Sequence, residues 1–198
     1  RDRSVSRGLG DVYKRQGMVL AVDVVHKAIM HHASKDSHIV LMTPQGKLFK
    51  HPEAERLSKY QELVFVCGHY EGFDERIREY VDEEISIGDY VLTGGELPAM
   101  VISDSVIRLL EHAIKEESHE DDSFSTGLLE YPQYTRPIEY DGKRVPEVLL
   151  NGNHKLISRF RKKESLRKTL LRRPDLLEKY PLSEEEEILL NEIREEMQ

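Results

Sequence analysis

The 198-residue sequence has few of the features that mark secreted or membrane proteins. Its one cysteine, Cys67, excludes an internal disulfide and fits a reducing cytoplasm. No apolar run approaches the roughly 20 residues that span a bilayer, and no apolar core of a signal peptide is visible near the amino terminus. We therefore expect a cytoplasmic protein that makes no contact with a membrane.

Motifs of the commonest enzyme classes are missing as well. No G-x-x-x-x-G-K-[ST] segment is present, which excludes a P-loop NTPase, and no G-x-G-x-x-G opens a helix after a strand. No serine lies in a G-x-S-x-G segment, the signature of many hydrolases. Cys67 and His69 lack two further ligands at a zinc-like spacing, so we predict no metal site in the chain. The sequence gives no indication of whether magnesium assists the protein.

Apolar runs and helical patterns alternate in the first part of the chain. This alternation predicts an α/β domain with a mostly parallel sheet. The predicted strands lie at 37–42, at 63–66 and, in one or two pieces, within 85–92, and a turn at 43–46 ends the first strand. The predicted helical segments lie at 18–32, 52–58, 73–80 and 97–114. An acidic run at 115–121 then reads as a solvated linker.

The composition changes after the linker. The formal charge of the chain is −8, yet from His154 to Lys179 ten lysines and arginines face three carboxylates. Apolar residues at helical spacing make this segment an amphipathic helix or two, and a capping box from Ser183 to Glu186 predicts a last helix. Tyrosines and an arginine lie just upstream, at Tyr131, Tyr134 and Arg136. Aromatic and basic residues together are typical of RNA binding, although a basic helix face is merely solvated in most proteins.

Two glycine turns follow strand-like runs in the middle of the chain. Gly68 comes directly after the run at 63–66, and Gly94 and Gly95 follow the run that ends at Leu92. Two such units suggest a ligand that backbone groups hold at the carboxyl ends of adjacent strands. Ordinary loop glycines remain an equal alternative at this point.

Long motifs in a fixed order carry a resemblance to a known family. They read CGHYEGFDERI, EISIGDYVLTGGELPAMV, DSV-x-R, EDDSFSTGLLEYPQYTRP, VPEVLLNGNH and SLRKTLLRRPDLL. Together they closely resemble the bacterial tRNA (guanine-N1)-methyltransferases of the SPOUT superfamily, whose methyltransferase domains form a trefoil knot. The resemblance extends from about residue 17 to the end. It implies a knotted α/β domain over 17–114, a flexible linker over 115–121 and a small all-helical domain over 122–198 that binds tRNA.

The resemblance also implies an activity and a site. The family transfers a methyl group from S-adenosyl-methionine to N1 of the guanosine immediately 3′ of the anticodon. It acts as a homodimer with each site built from both chains. By matching motif, Asp122 would be the general base and Arg108 would steady the purine. The expected donor contacts are Leu41, Thr43, Pro44, Gly68, Tyr70, Glu71, Ile87, Gly88, Asp89, Tyr90, Val91, Leu92, Gly94, Gly95 and Pro98.

The chain departs from the family pattern in two places. The family begins with a strand and a segment ending in G-G-G-x-G-M, whereas only Gly17 and Met18 follow that pattern here. We therefore expect residues 1–16 to be disordered or foreign and the donor-binding domain to be truncated. His69 stands where some relatives carry arginine. Two alternatives stay open: a non-catalytic fragment that binds RNA or the donor, and a related knotted enzyme that methylates another RNA base.

Overall fold

The computed structural model describes residues 18–110 and 122–197. The chain divides into two compact units, Arg1–Ile114 and Lys115–Gln198, and each is described by itself. The segment 1–16, expected to be disordered or foreign, and the expected linker 115–121 lie outside the described residues. Within the described ranges, no helix is both long enough and apolar enough to cross a bilayer.

The first unit contains a parallel sheet between helices. Its elements in chain order are α1 (Val22–His32), β1 (Ser37–Leu48), α2 (His51–Leu57), β2 (Glu62–Cys67), a 3-10 helix (Glu75–Tyr80), β3 (Glu83–Ser86) and α3 (Glu96–Ile107). The strand order is β2-β1-β3, and β1 pairs in parallel with both neighbours. The prediction of an α/β unit with a parallel sheet is therefore confirmed.

Strand β1 is buried on both faces because it is the central strand. Val40 and Met42 point into one apolar cluster, which also contains Ile102 of α3. Leu41 points to the opposite face, where it packs in a second cluster with Ile29 of α1. A strand covered on both faces needs apolar residues in succession rather than in alternation. This requirement explains why the strand contains an unbroken apolar run at 39–42.

The structure corrects two predictions about the strands. No turn ends β1 at 43–46, because the strand continues to Leu48 with a register shift against β3 between Met42 and Lys47. Gly46 allows that close pairing, since a Cβ at this position would lie 2.5 Å from the carbonyl carbon of Glu84. The segment 87–92 is not a strand either: β3 ends at Ser86, and the chain then turns.

The helices of the first unit agree with their predicted positions but differ at their ends. Helix α1 begins at Val22 rather than at residue 18, because Leu20 forms a bridge with Phe73. Helix α3 ends at Ile107, and residues 111–114 of the predicted helix lie outside the described residues. The predicted helix at 73–80 is a 3-10 helix that begins at Glu75. Asp74 is its N-cap, and the Asp74 side chain accepts a hydrogen bond from the Arg76 N–H.

The second unit combines helices with a short hairpin. Its elements are β4 (Glu139–Tyr140), β5 (Lys143–Arg144), a 3-10 helix (Glu147–Leu149), α4 (His154–Arg172), α5 (Pro174–Leu177) and α6 (Glu184–Glu196). The prediction of an all-helical domain was wrong in this respect. Asp141 and Gly142 form the hairpin turn with φ of 51° and 72°, and an Asp-Gly pair with positive φ at both positions favours a two-residue turn.

Helix α6 begins with the predicted capping box. The Ser183 hydroxyl accepts from the Glu186 N–H at 3.3 Å, and the Glu186 carboxylate accepts from the Ser183 N–H at 2.8 Å. Burial alone would raise the pKa of Glu186, but hydrogen bonds from Ser183, Tyr180 and Lys162 outweigh it and lower the pKa to about 2. The cap is therefore ionised at neutral pH, and it fixes the start of the helix that packs against α4.

Candidate functional site

A cavity of about 410 Å³ lies in the first unit beside the ends of β2 and β3. Its walls come from four parts of the chain, which are 41–45, 68–78, 85–95 and Pro98 of α3, with a few gaps. Parallel strands bring their carboxyl ends to one edge of a sheet, so turns that are distant in sequence meet there. Both glycine turns singled out in the sequence contribute to this cavity.

The cavity gathers fourteen of the fifteen residues that the resemblance assigns to the methyl donor. They are Leu41, Thr43, Pro44, Gly68, Tyr70, Glu71, Ile87, Gly88, Tyr90, Val91, Leu92, Gly94, Gly95 and Pro98. Asp89 is the exception: its side chain is exposed, and the residue does not line the cavity. Residues chosen by motif alone are therefore neighbours in space.

Three contacts hold the two glycine turns together. The Gly95 N–H donates to the Gly68 carbonyl at 3.0 Å, and His69 forms an antiparallel bridge with Gly94. The His69 imidazole also contacts the Glu96 carboxylate at the start of α3. A Cβ on Gly95 would lie 2.8 Å from the Cys67 Cα, so a side chain at that position would push the turns apart.

The turn after β2 is shaped by its own backbone. Gly72 donates its N–H to the His69 carbonyl at 3.1 Å, and Tyr70 takes a positive φ of 61° between them. The ring of Phe73 lies against Gly68, where a Cβ would come within 2.5 Å of it. These constraints keep the backbone of the turn at the cavity wall rather than covering it with side chains.

The segment 87–92 forms the opposite wall and presents apolar surface. Tyr90, Val91 and Leu92 are exposed, although the sequence suggested that they would be buried in a strand. A local turn holds the segment: the Gly88 N–H donates to the Ser86 hydroxyl at 3.2 Å, and the Tyr90 N–H donates to the Gly88 carbonyl at 2.9 Å. Exposed apolar side chains beside backbone polar groups suit a flat heteroaromatic ring.

Three carboxylates contribute to the cavity wall, and the sequence analysis had largely missed them. Glu71, Asp74 and Glu75 all contribute to the lining. A side-chain hydrogen bond from Arg76 lowers the pKa of Asp74 to about 2, so this group is ionised at neutral pH. The continuous motif CGHYEGFDER could have signalled these acids, because they directly follow the first glycine turn. Asp74 pairs with Arg76 at 2.7 Å and Glu75 pairs with Arg78 at 2.8 Å, so arginines of the protein balance two of these three charges.

Among the described residues, Arg78 is the one arginine that lines the cavity, and it is already engaged. Arg78 contacts Glu84, and it pairs with Glu75 at 2.8 Å and donates to Gln45 at 2.5 Å. The hydrogen bond to Glu84, followed by that to Glu75, raises the pKa of Arg78. Its charge is therefore balanced by protein carboxylates. Arg78 joins the segments that line the cavity and does not offer a site for an anion.

Neither of the two predicted catalytic residues is among the residues that line the cavity. Arg108 caps the end of α3 in the first unit, where its N–H donates to the Asp104 carbonyl at 3.2 Å. Asp122 belongs to the second unit, and its carbonyl accepts from the Ser125 N–H at 3.2 Å. Their catalytic roles stay predictions. In the described ranges, no group of three or more His, Cys, Asp or Glu side chains could hold a metal ion.

Comparison with known proteins identifies the family. The family model described as "tRNA (Guanine-1)-methyltransferase TrmD" matches residues 12–179. The chain belongs to this family. The tRNA (guanine-N(1)-)-methyltransferase of Streptococcus uberis is 55% identical over 183 residues, which cover 92% of this chain and 77% of the relative. That of Bacillus licheniformis is 58% identical over 181 residues, which cover 89% and 74%.

A third relative supports membership of the tRNA (guanine-N1)-methyltransferases. The protein of the same name from Macrococcus caseolyticus is 56% identical over 182 residues, covering 90% of this chain and 75% of the relative. The resemblance that the motifs carried is thereby confirmed, as is the enzyme class that it implied.

Proposed function

We propose that the protein transfers the methyl group of S-adenosyl-methionine to N1 of the guanosine immediately 3′ of the anticodon in tRNA. One observation carries the proposal: in a member of this family, fourteen motif-matched residues surround a single cavity of about 410 Å³. The deep trefoil knot, the helical tRNA-binding unit and a cytoplasmic location belong to the same proposal.

The cavity suits the chemistry of the donor. S-adenosyl-methionine carries a sulfonium and an ammonium group, and the carboxylates of Glu71, Asp74 and Glu75 in the wall are oxygen acceptors that suit such positively charged groups. The adenine ring would lie against Tyr90, Val91 and Leu92, while the backbone of the glycine turns would bond its polar edge. When bound, the sulfonium supplies an activated methyl group. The protein therefore mainly has to place the acceptor.

The acceptor needs a base because guanine N1 carries a proton. We propose that the Asp122 carboxylate takes this proton as N1 bonds to the methyl carbon, while the electrons of the broken sulfur–carbon bond return to sulfur. Negative charge develops on guanine O6 as the proton leaves and disappears as the N1–methyl bond forms, and the Arg108 guanidinium would stabilise that charge in the transition state. Both residues sit in the matched motifs of the family, Arg108 in DSV-x-R and Asp122 in EDDSF.

A homodimer would complete this site. Helix α3 buries Ile102 and Val106 against the sheet, yet its other side leaves apolar side chains exposed at Leu97, Met100, Val101 and Ile107. Several large apolar side chains exposed on one helix indicate an interaction surface. We propose that a second copy covers this face and that each site combines the donor cavity of one chain with Asp122 of the other.

A methyl-transfer assay tests the proposal. Radiolabelled S-adenosyl-methionine should label unmodified tRNA that has guanosine 3′ of the anticodon, and tRNA with adenosine there should stay unlabelled. Labelling of a different nucleotide would contradict the proposal and favour a related enzyme for another base. Donor binding with no labelling of any tRNA would point instead to a non-catalytic binding protein.

The base is tested by Asp122→Asn. We expect turnover to fall by roughly 100-fold or more while the dissociation constant for the donor stays within about twofold, because the base acts on the acceptor. Asp175→Asn is the matched control: it makes the same charge change in the same unit at an exposed ion pair with Arg173. Equal losses of turnover and donor affinity in Asp122→Asn would show that Asp122 has a structural role.

A further inference from the structure

Helix α4 carries cations that the protein neutralises internally. Arg159 pairs with Glu192 at 2.5 Å, and Lys163 pairs with Glu192 and Glu196, each at 2.7 Å. Arg167 also pairs with Glu196, at 2.5 Å. The hydrogen bond from Lys163, followed by that from Arg167, lowers the pKa of Glu196 to about 2. Helix α6 thus occupies one face of α4, the basic helix whose composition suggested RNA binding.

Two further cations hold a strap across the same helix. The strap consists of residues 128–131 and runs antiparallel to α4. The Leu129 N–H donates to the Thr169 hydroxyl at 2.9 Å, and the Arg161 guanidinium lies 4.8 Å from the centre of the Tyr131 ring. Between these points Lys168 donates to the Glu130 carbonyl at 3.0 Å. The charges of Arg161 and Lys168 therefore serve the packing of the strap, and the chain leaves α4 beyond Tyr131.

An ordered but uncovered segment comes next. We call residues 133–144 the hairpin arm, and every one of them is exposed. Strands β4 and β5 pair within it, and the Val145 N–H donates to the Ile138 carbonyl at 2.9 Å at its base. The arm nevertheless exposes 47% of Tyr134, 50% of Ile138 and 76% of Tyr140. Large apolar side chains on a defined but uncovered segment indicate an interaction surface.

The charges of the arm differ from those of α4. Among the described residues, neither Arg136 nor Lys143 has an ion-pair partner. Arg144 approaches Glu139 only at 3.4 Å, and both side chains are more than half exposed, so this pair contributes little. The arm therefore offers cations that need not break a protein contact before they meet a phosphate.

Exposed aromatic rings next to available cations fit single-stranded RNA better than they fit a protein partner. Unpaired bases stack on tyrosine rings, and flanking lysine and arginine side chains meet the backbone phosphates. We propose that the hairpin arm, rather than the α6-facing side of α4, is the surface of this unit that holds unpaired RNA. Tyr140 and Tyr134 stack on bases, and Arg136 and Lys143 contact phosphates. The proposal rests on the proposed function, which supplies tRNA as the RNA.

Ring stacking is tested in the full-length chain by measuring the dissociation constant for unmodified tRNA. Tyr140→Ala removes the stacking ring and should weaken tRNA binding by roughly 5- to 150-fold, the range for loss of one stacked base. Tyr140→Phe keeps the ring and should bind within about twofold of the wild type. Donor affinity, measured by calorimetry, should stay unchanged in both variants, because the donor cavity lies in the first unit.

The charge contrast is tested by the salt dependence of tRNA binding. Lys143→Gln should reduce the slope of log affinity against log salt concentration by about 0.7, the value for one lost contact with a single strand. Arg159→Gln is the matched control: it should leave the slope unchanged and lower the melting temperature, because it removes the pair with Glu192. If Arg159→Gln lowers the slope and Lys143→Gln leaves it unchanged, the proposal is overturned.

The outcomes separate this proposal from the function on which it rests. A wild-type chain that neither binds nor methylates tRNA refutes the proposed function. A wild-type chain that methylates tRNA, together with Tyr140→Ala and Lys143→Gln variants of unchanged tRNA affinity, refutes the hairpin arm alone. If Tyr140→Ala changes only the sedimentation of the protein and not its RNA affinity, the arm is a protein interface and the RNA proposal is overturned.

Discussion

Gly95 offers a sharp test of how the donor cavity is built. It is the N-cap of helix α3 and has a φ of −81°, a conformation that alanine adopts without strain. The effect of Gly95→Ala is therefore steric rather than conformational. The added Cβ would lie 2.8 Å from the Cys67 Cα and 3.1 Å from the Gly68 nitrogen, and these are backbone atoms that no rotamer change can move away.

The size of the effect follows from this contact. Ordinary contacts begin near 3.4 Å, so the two glycine turns must separate by about 0.6 Å. Overpacking of a fitted site costs about 2 kcal/mol. The hydrogen bond from the Gly95 N–H to the Gly68 carbonyl, now 3.0 Å, would weaken at a further cost of about 1 kcal/mol. Together these terms correspond to roughly 160-fold in an equilibrium constant.

The dissociation constant for S-adenosyl-methionine, measured by calorimetry below the melting transition, is the readout. We expect the roughly 160-fold penalty to divide between weaker donor binding and a lower melting temperature. Gly94→Ala is the neighbouring control: its Cβ would meet the Glu96 carboxylate and the His69 ring, which can rotate away, so its losses should be smaller. Wild-type affinity and wild-type melting in Gly95→Ala would refute the contact between the turns.

Two further predictions concern stability. Ile102→Ala empties a fully buried position of α3 and should lower the free energy of unfolding by about 2–5 kcal/mol in a urea titration, whereas Val101→Ala, at a 47% exposed neighbour, should change it by less than about 1 kcal/mol. Equal losses would contradict the assigned faces of the helix. Glu186→Gln should cost about 2 kcal/mol at pH 7 through its charged hydrogen bonds. Because the pKa of Glu186 falls from 4.5 to about 2 on folding, its stabilisation is present above about pH 4.5 and is lost as the pH falls toward 2. In thermal melts from pH 7 to pH 2, the melting temperature of the Gln variant should therefore fall less than that of the wild type. Equal falls in the two proteins would refute this role of Glu186.

The sequence predicted the central strands well for a physical reason. Residues 37–42 lie in the central strand and residues 63–66 in its neighbour, where they are half-buried or buried, so their apolar runs reflect packing in the fold. The same reasoning failed at 87–92, because Tyr90, Val91 and Leu92 are apolar yet exposed at the cavity wall. Apolarity there matches a binding surface, and a pattern of apolar residues does not distinguish a ligand from a protein core.

The hairpin arm was missed although its turn has a local signal. Asp141 and Gly142 form a two-residue turn, but the strands beside it have only two residues each and no buried face. Without an alternating apolar pattern, strand pairing depends on the turn alone. The capping box at Ser183 was predicted correctly because its bonds join residues three positions apart, within one short segment.

The sequence by itself determined the family, the alternation of strands and helices, and fourteen residues that line the cavity, because all of these are written in continuous motifs. Only the tertiary structure decided which cations are paired within the protein and how the two glycine turns meet. Lys163 pairs with Glu196 across 33 positions, and Gly95 meets Gly68 across a whole strand and loop. Contacts between such distant residues form only when packing brings their elements together, and no local pattern in the chain encodes them.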